Sequence, residues 1–141
     1  MNVFADSSAI VKLYVDETGA EHIRALDAMY VSVLARVEVP AALWRKHRMG
    51  ALTAPEVAHL VRAFDDDYLD PAGRLAPAAL TPDVLDAAAR AAGVHGLRAY
   101  DAVQLATAIA VRTADPQCSQ FACFDHDLRG AALHEGFIAL P

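Results

Sequence analysis

The chain has 141 residues, of which 55% are hydrophobic, and a formal net charge of −6. This length suits one domain with its own core, and the acidic balance lacks the basic footprint of most nucleic-acid-binding proteins. No apolar run reaches the length of a membrane span, and Asp6 interrupts any N-terminal hydrophobic segment, so we expect a cytoplasmic protein. Cys118 and Cys123 have no companion pair and are expected to be buried, reduced thiols, and the six histidines show no local ligand spacing.

In the first half of the chain, short apolar runs alternate with helical patterns. Residues 2–5 are followed by Asp6 and two serines, which predicts a buried strand that ends at a helix N-terminus. The pattern then predicts a helix at 9–15, a helix at 20–29, a strand at 30–33, a long helix at 34–49 and a helix that begins at 53–56.

The second half continues the alternation. It predicts a short edge strand at 75–80, a helix at 84–92 closed by Gly93, a helix from Tyr100, a strand at 120–124, a helix at 128–134 and a strand at 137–140. Strands that alternate with helices indicate right-handed crossovers. We therefore predict an α/β fold for residues 1–141 as a single domain, with a mostly parallel central sheet of four to five strands and helices on both sides.

Four acids occur where predicted strands end or predicted helices begin. Asp6 and Asp125 follow two strands, and Glu38 and Asp101 lie in the opening turns of two helices. Taken singly, Asp6 is also explained as a helix N-cap and Asp101 as an ordinary helix-start residue. In a parallel sheet, however, all four positions can face one edge, where the carboxylates would lie within a few ångströms of each other.

Such a gathering of carboxylates has a chemical consequence. Two like charges about 4 Å apart repel by about 4 kcal/mol at an effective dielectric constant near 20, so a protein that gathers them normally holds a hard cation. Oxygen ligands favour Mg²⁺ or Mn²⁺. Because such an ion lowers the pKa of a bound water and shields the charge on a phosphate, the pattern indicates a phosphodiester substrate.

Four motifs in this order resemble those of the PIN domain: Val3-Phe-Ala-Asp6-Ser-Ser-Ala, Leu34-Ala-Arg-Val-Glu38-Val, Tyr100-Asp101-Ala-Val-Gln-Leu-Ala-Thr-Ala and Phe124-Asp125-His-Asp-Leu128. Among PIN proteins, the chain most resembles the VapC-type toxins of bacterial type II toxin–antitoxin pairs. The resemblance implies a three-layer α/β/α fold and a Mg²⁺- or Mn²⁺-dependent endoribonuclease. It also implies a homodimer that is neutralised by a cognate VapB-like antitoxin.

The resemblance also assigns roles by position. Asp6 and Asp101 match the principal metal ligands, Glu38 matches the acid that completes the set around the first ion, and Asp125 matches the fourth acid. The Asp-His-Asp spacing leaves Asp127 as a competing candidate for that fourth position.

Supporting roles are expected nearby. Ser7 or Ser8 resembles the small hydroxyl residue that supports the cleft, and Lys12 or Arg98 is expected to steady the phosphate. One or two ions bound by the acids would activate a water that attacks the RNA phosphate, leaving a 5′-phosphate and a 3′-hydroxyl.

Two other classes of function stay open. One is a PIN scaffold that binds a protein partner and has no nuclease activity. The other is a phosphoryl-transfer or receiver-type domain that carries an aspartyl phosphate on Asp6. A receiver domain would favour a second acid two positions after the first, where this chain has Ser8.

Overall fold

Five short strands and seven α-helices alternate along the chain. The computed structural model describes residues 1–141. The strands are β1 Asn2–Ala5, β2 Met29–Ser32, β3 Leu75–Ala78, β4 Cys118–Ala122 and β5 Ile138–Leu140. The helices are α1 Ser7–Ile10, α2 Ala20–Arg24, α3 Ala35–Arg48, α4 Ala54–Leu69, α5 Pro82–His95, α6 Ala99–Ala114 and α7 His126–His134.

The strands form one sheet in the order β3-β2-β1-β4-β5, and every neighbouring pair is parallel. The central strand β1 pairs Ala5 with Val31 of β2 and with Ala122 of β4. The predicted edge strand is β3, where Pro77 is tolerated because an edge position leaves one side of the strand unpaired. The predicted α/β class and mostly parallel sheet are confirmed.

Both faces of the sheet are buried under helices. Successive residues of β1 point to opposite faces, so Val3 and Ala5 join one hydrophobic core whereas Phe4 joins the other. The core with Val3 has 15 buried residues and includes side chains from α1, α3 and α4, and the core with Phe4 has 16 and includes α5, α6 and α7. The result is the expected three-layer α/β/α arrangement.

Several predicted helix ends are wrong, each for a local reason. The first helix begins at Ser7, and its α-helical part ends at Ile10, after which Val11–Leu13 form a 3₁₀ turn. Helix α2 ends at Arg24 and not at 29, because Met29 begins β2. Helix α5 continues through Gly93 and is closed by Gly96, whose φ of +64° is the left-handed conformation of a helix C-cap.

Two further expectations concern burial and hydrophobicity. Cys118 and Cys123 are both buried free thiols, as predicted. No helix of this chain combines the length and the apolar composition that a bilayer crossing requires.

Candidate metal and active site

Asp6 is the first residue after β1, and it caps the helix that follows. Its Oδ1 accepts hydrogen bonds from the Ala9 backbone N at 3.0 Å and from Ser8 Oγ at 2.6 Å. Its Oδ2 accepts from the Cys123 thiol, whose Sγ lies 3.5 Å away. Asp6 is therefore an N-cap and a candidate ligand at once, and its side chain is held in one orientation from three sides.

Burial governs the charge of this carboxylate. The Asp6 residue is 4% exposed, and this burial raises the pKa of its carboxyl to about 6. The hydrogen bonds from Ser8, Ala9 and Cys123 lower the pKa but do not outweigh burial, and the charge of Glu38 raises it further. A cation bound beside Asp6 would restore its charged form.

Glu38 lies in the first turn of α3 and is tied to two other helices. Ser7 Oγ donates to Glu38 Oε1 at 3.1 Å, and Gln104 Nε2 donates to the same oxygen at 2.7 Å and to Ser7 Oγ at 3.1 Å. Burial raises the pKa of Glu38, the hydrogen bonds from Gln104 and Ser7 oppose that rise, and the charge of Asp101 adds to it. The three side chains join α1, α3 and α6 at the edge of the sheet where β1 ends.

Asp101 and Asp125 share one arginine. Arg98 Nη2 lies 3.6 Å from Asp101 Oδ2 and 3.7 Å from Asp125 Oδ2. Burial is the largest cause that raises the pKa of Asp101, the charge of Asp125 also raises it, and Arg98 opposes both. Asp125 caps α7 through its Oδ1, which accepts from the Leu128 backbone N at 3.0 Å, and its Oδ2 is the oxygen that lies near Arg98.

The four acids form a chain of electrostatic neighbours and not one tight cluster. Asp6 is influenced by the charge of Glu38, Glu38 by that of Asp101, and Asp101 by that of Asp125. No three of them bring their carboxylate oxygens within 4.8 Å of one another, so the expected spacing of a few ångströms for the whole set is wrong. The physical reason is that every carboxylate has a protein donor, with Asp101 and Asp125 sharing Arg98, and mutual repulsion keeps the acids apart beside these donors.

The predicted supporting residues divide into three groups. Ser7 and Ser8 do contact the acids, as described above, and Arg98 lies between two of them. Lys12 does not contact the four acids, because its Nζ donates to Glu17 Oε1 at 3.1 Å and to the Thr18 backbone O at 2.8 Å. Of the two cations expected to steady the phosphate, the structure therefore places Arg98, and not Lys12, beside the acids.

Asp125 and Asp127 differ in their surroundings. Asp125 is half-buried and lies within reach of Arg98, whereas Asp127 is exposed in the first turn of α7 and contributes only a more minor like charge at Asp101. These surroundings favour Asp125 as the fourth acid.

Two residues of this site were not singled out from the sequence. Gln104 follows Asp101 by three positions, so both lie on one helix face, and an amide among alanines and leucines was the available signal. Cys123 was expected to be buried, but nothing in the sequence indicated that its thiol would reach Asp6. Burial and the charge of Asp6 raise the pKa of this thiol, which therefore stays protonated and donates.

The residues present fit a hard divalent cation. All the candidate ligands are carboxylate oxygens, the donor type that Mg²⁺ and Mn²⁺ prefer.

Comparisons with known proteins agree with this geometry. Residues 3–132 match the family model of the PIN domain, and the chain belongs to the PIN domain family. Within that family it is of the VapC type. Ribonuclease VapC45 of Mycobacterium tuberculosis (strain CDC 1551 / Oshkosh) and Ribonuclease VapC49 of Mycobacterium tuberculosis (strain ATCC 25618 / H37Rv) are each 41% identical to it over 113 residues, which covers 77% of this chain and 76% of the relative.

The fold has a solved counterpart. The crystal structure of PAE2754 from Pyrobaculum aerophilum matches 99% of this chain and 83% of that chain with a TM-score of 0.63. At 19% identity, this likeness concerns the fold alone. The predicted resemblance to a PIN domain of the VapC type is confirmed.

Proposed function

We propose that this protein is a VapC-type endoribonuclease toxin that requires a divalent metal ion. The observation that carries the proposal is the meeting of Asp6, Glu38 and Asp101 at one edge of the sheet, each with its pKa raised by burial. The 41% identity to two proteins named as ribonucleases supports RNA as the substrate.

We propose Mg²⁺, or Mn²⁺ in its place, as the ion. One or two such ions would be held by Asp6, Glu38, Asp101 and Asp125, with part of this set acting through bound water because no three of the carboxylates lie within 4.8 Å of one another. When bound, such an ion supplies Lewis-acid stabilisation of phosphate charge and an activated water.

The surrounding side chains orient the acids. Ser7 and Gln104 fix one oxygen of Glu38, and Ser8 fixes one oxygen of Asp6. Because these donors are themselves buried or half-buried, the acids do not need to reorganise when substrate arrives.

Arg98 and Tyr100 are the groups suited to the RNA chain. Both line a groove beside Glu38 and Asp101, and the Arg98 side chain is 85% exposed. Its guanidinium can pair with a phosphate in two hydrogen bonds. Tyr100 is 64% exposed and offers a ring on which an unpaired base can stack.

Partners and location are also part of the proposal. VapC-type membership supports a cognate VapB-like antitoxin, a homodimer and action in the cytoplasm. Exposed apolar side chains at Val37, Met49 and Val94, each 69–72% exposed, are surfaces that such partners could cover.

The test is cleavage of total RNA by the purified protein with Mg²⁺ and with EDTA. We expect cleavage with Mg²⁺, none with EDTA, and loss of cleavage in Asp101→Asn. Asp83→Asn is the matched control, because Asp83 is an exposed acid in the first turn of a different helix, and it should cleave like the wild type. Undiminished cleavage by Asp101→Asn, or by the wild type in EDTA, would contradict the proposal.

The same assay separates the alternatives. A PIN scaffold that only binds a protein partner would show no Mg²⁺-dependent cleavage. An aspartyl phosphate on Asp6 is not favoured, because a receiver-type site would have a second acid two positions after Asp6, where this chain has Ser8, whose hydroxyl donates to Asp6 Oδ1.

A further inference from the structure

Two histidines and a glutamate, none of them among the four acids, meet at the C-terminal ends of α5 and α7. His95, His134 and Glu135 each place one ligand atom so that all three atoms lie within 4.8 Å of one another. His95 Nε2 is 2.8 Å from Glu135 Oε1, and the rings of His95 and His134 are 5.3 Å apart between centroids. No other three His, Cys, Asp or Glu residues of this chain are grouped so closely.

The fold holds two of these side chains and leaves the third movable. His95 is the last residue of α5, and its side chain is only 8% exposed. Glu135 caps the C-terminus of α7, and its backbone O accepts a hydrogen bond from Arg112 Nη1 at 3.0 Å, which fixes the turn. His134 is exposed at the end of α7, so its imidazole can rotate.

We propose that His95, His134 and Glu135 form a second metal site, selective for a borderline divalent transition ion such as Zn²⁺. Two imidazoles and one carboxylate, with a fourth position open to water, are a donor set that suits Zn²⁺. The same set is a poor match for Mg²⁺, which prefers oxygen ligands. The site is therefore chemically distinct from the carboxylate site and does not depend on the proposed nuclease activity.

The geometry needs only small adjustments to accept the ion. Zinc–ligand bonds of about 2.0–2.2 Å place tetrahedral ligands about 3.3–3.5 Å apart. The 2.8 Å contact between His95 and Glu135 must open by about half an ångström, and rotation of His134 closes the remaining gap. On binding, His95 would coordinate through Nε2 as a neutral imidazole that carries its proton on Nδ1, so the hydrogen bond between His95 Nε2 and Glu135 Oε1 would be replaced by two metal–ligand bonds.

The approach to the site is open. His95 and His134 line a groove together with His126, Asp127 and the small residues Gly96, Gly130 and Ala131. A Cβ atom added at Gly96 or Gly130 would meet nothing within 4 Å, so the groove is open beside these two glycines. Because the ligands come from two helices, a bound ion joins the end of α5 to the end of α7 and should stabilise the folded chain.

The experiment uses the metal ions themselves. Chelator-treated protein in excess Mg²⁺, which occupies the acids, is titrated with Co²⁺ to record the visible absorption of a tetrahedral complex, and Zn²⁺ is then added as competitor. We expect one Zn²⁺ per chain and a higher thermal unfolding temperature with Zn²⁺. In His134→Ala and in Glu135→Gln, Zn²⁺ affinity should fall by more than the roughly 10–100-fold loss typical of removing an outer partner of a ligand.

Two control variants locate the ion. His59→Ala removes an exposed histidine on α4 and should bind Zn²⁺ like the wild type. Asp101→Asn should also keep its Zn²⁺ affinity, because the proposed site contains none of the four acids. Absence of Zn²⁺ binding, equal affinity in His134→Ala and Glu135→Gln, or loss of affinity in Asp101→Asn would each overturn the proposal.

Discussion

Replacing Gln104 with leucine should separate function from stability. The Gln104 amide donates to Glu38 Oε1 at 2.7 Å and to Ser7 Oγ at 3.1 Å, and it is 1% exposed. Leucine has a similar size and fills the same space beside α6, but it makes neither hydrogen bond. The change therefore removes one of the two hydrogen bonds that hold Glu38 in place.

The expected magnitudes follow from these contacts. A hydrogen bond to a charged group contributes about 1.5–3 kcal/mol, and partial exposure of Glu38 places its loss near the lower end. About 1.4 kcal/mol corresponds to one pKa unit or to a tenfold change in an equilibrium constant. The Glu38 carboxylate should thus be harder to ionise. Because only Ser7 would then orient it, Mg²⁺ binding should weaken by roughly tenfold, the lower end of the loss typical for an outer partner of a metal ligand.

The effect on folding should be small for an opposing reason. Leucine also removes Gln104 Oε1, which is buried without a partner, and an unsatisfied buried polar group costs about 1–3 kcal/mol. The two contributions nearly cancel, so the free energy of unfolding should change by less than about 1 kcal/mol.

The assay compares RNA cleavage as a function of Mg²⁺ concentration with unfolding in urea. Thr107→Val is the matched control: Thr107 lies one turn further along α6, is equally buried and donates only to the Val103 backbone O of its own helix at 2.7 Å. This control should keep the wild-type Mg²⁺ dependence. A Gln104→Leu variant with wild-type Mg²⁺ dependence, or one that loses several kcal/mol of stability, would refute the reasoning.

Three further predictions concern stability. Leu105→Ala, at a fully buried core position, should lower the free energy of unfolding in urea by about 2–5 kcal/mol, and a loss below about 1 kcal/mol would contradict the assigned packing. Gly19→Ala should lower the thermal unfolding temperature more than Gly50→Ala does. Both glycines have positive φ, but only a Cβ at Gly19 would meet the Phe124 ring, at 2.5 Å. Equal decreases in unfolding temperature would count against that contact. In the folded chain burial raises the pKa of Glu17, but hydrogen bonds and charges from Lys12 and Lys46 outweigh burial and lower it, so the stabilisation from Glu17 is present above pH 4.5 and is lost as the pH falls through the pKa of the folded state. The difference in unfolding free energy between the wild type and Glu17→Gln should therefore shrink in acid. A difference that does not change with pH would argue against the ion pairs.

The order of elements was predictable because each strand and helix carries its own periodic pattern. The helix ends were less so. Two glycines three positions apart follow the apolar stripe of α5, and the sequence does not tell which one adopts positive φ; in the structure Gly93 stays helical and Gly96 caps the helix. The early end of α2 depends on pairing between β1 and β2, which is a tertiary effect that a local pattern does not contain.

The site shows the same division. Asp6 and Asp125 were predictable from strand ends, since topology alone brings the ends of β1 and β4 together. Gln104 was not predictable, because its role depends on hydrogen bonds to Ser7 and Glu38, which lie on two other helices. The histidine site was missed for a related reason: His95 and His134 are far apart in sequence, and a search for short-range ligand spacing does not find residues that only the packing of α7 near α5 brings together.

The partners of the acids explain how the chain folds around them without a bound ion. Each carboxylate that a cation would neutralise has a protein donor: a helix N-terminus at Asp6, a glutamine at Glu38 and the Arg98 guanidinium between Asp101 and Asp125. The arginine is the partner with the weakest hold, because its side chain is 85% exposed and its two contacts are 3.6 and 3.7 Å long. If Asp101 and Asp125 held a cation, the exposed Arg98 guanidinium would lose these two weak contacts at low cost and would be free to pair with a phosphate.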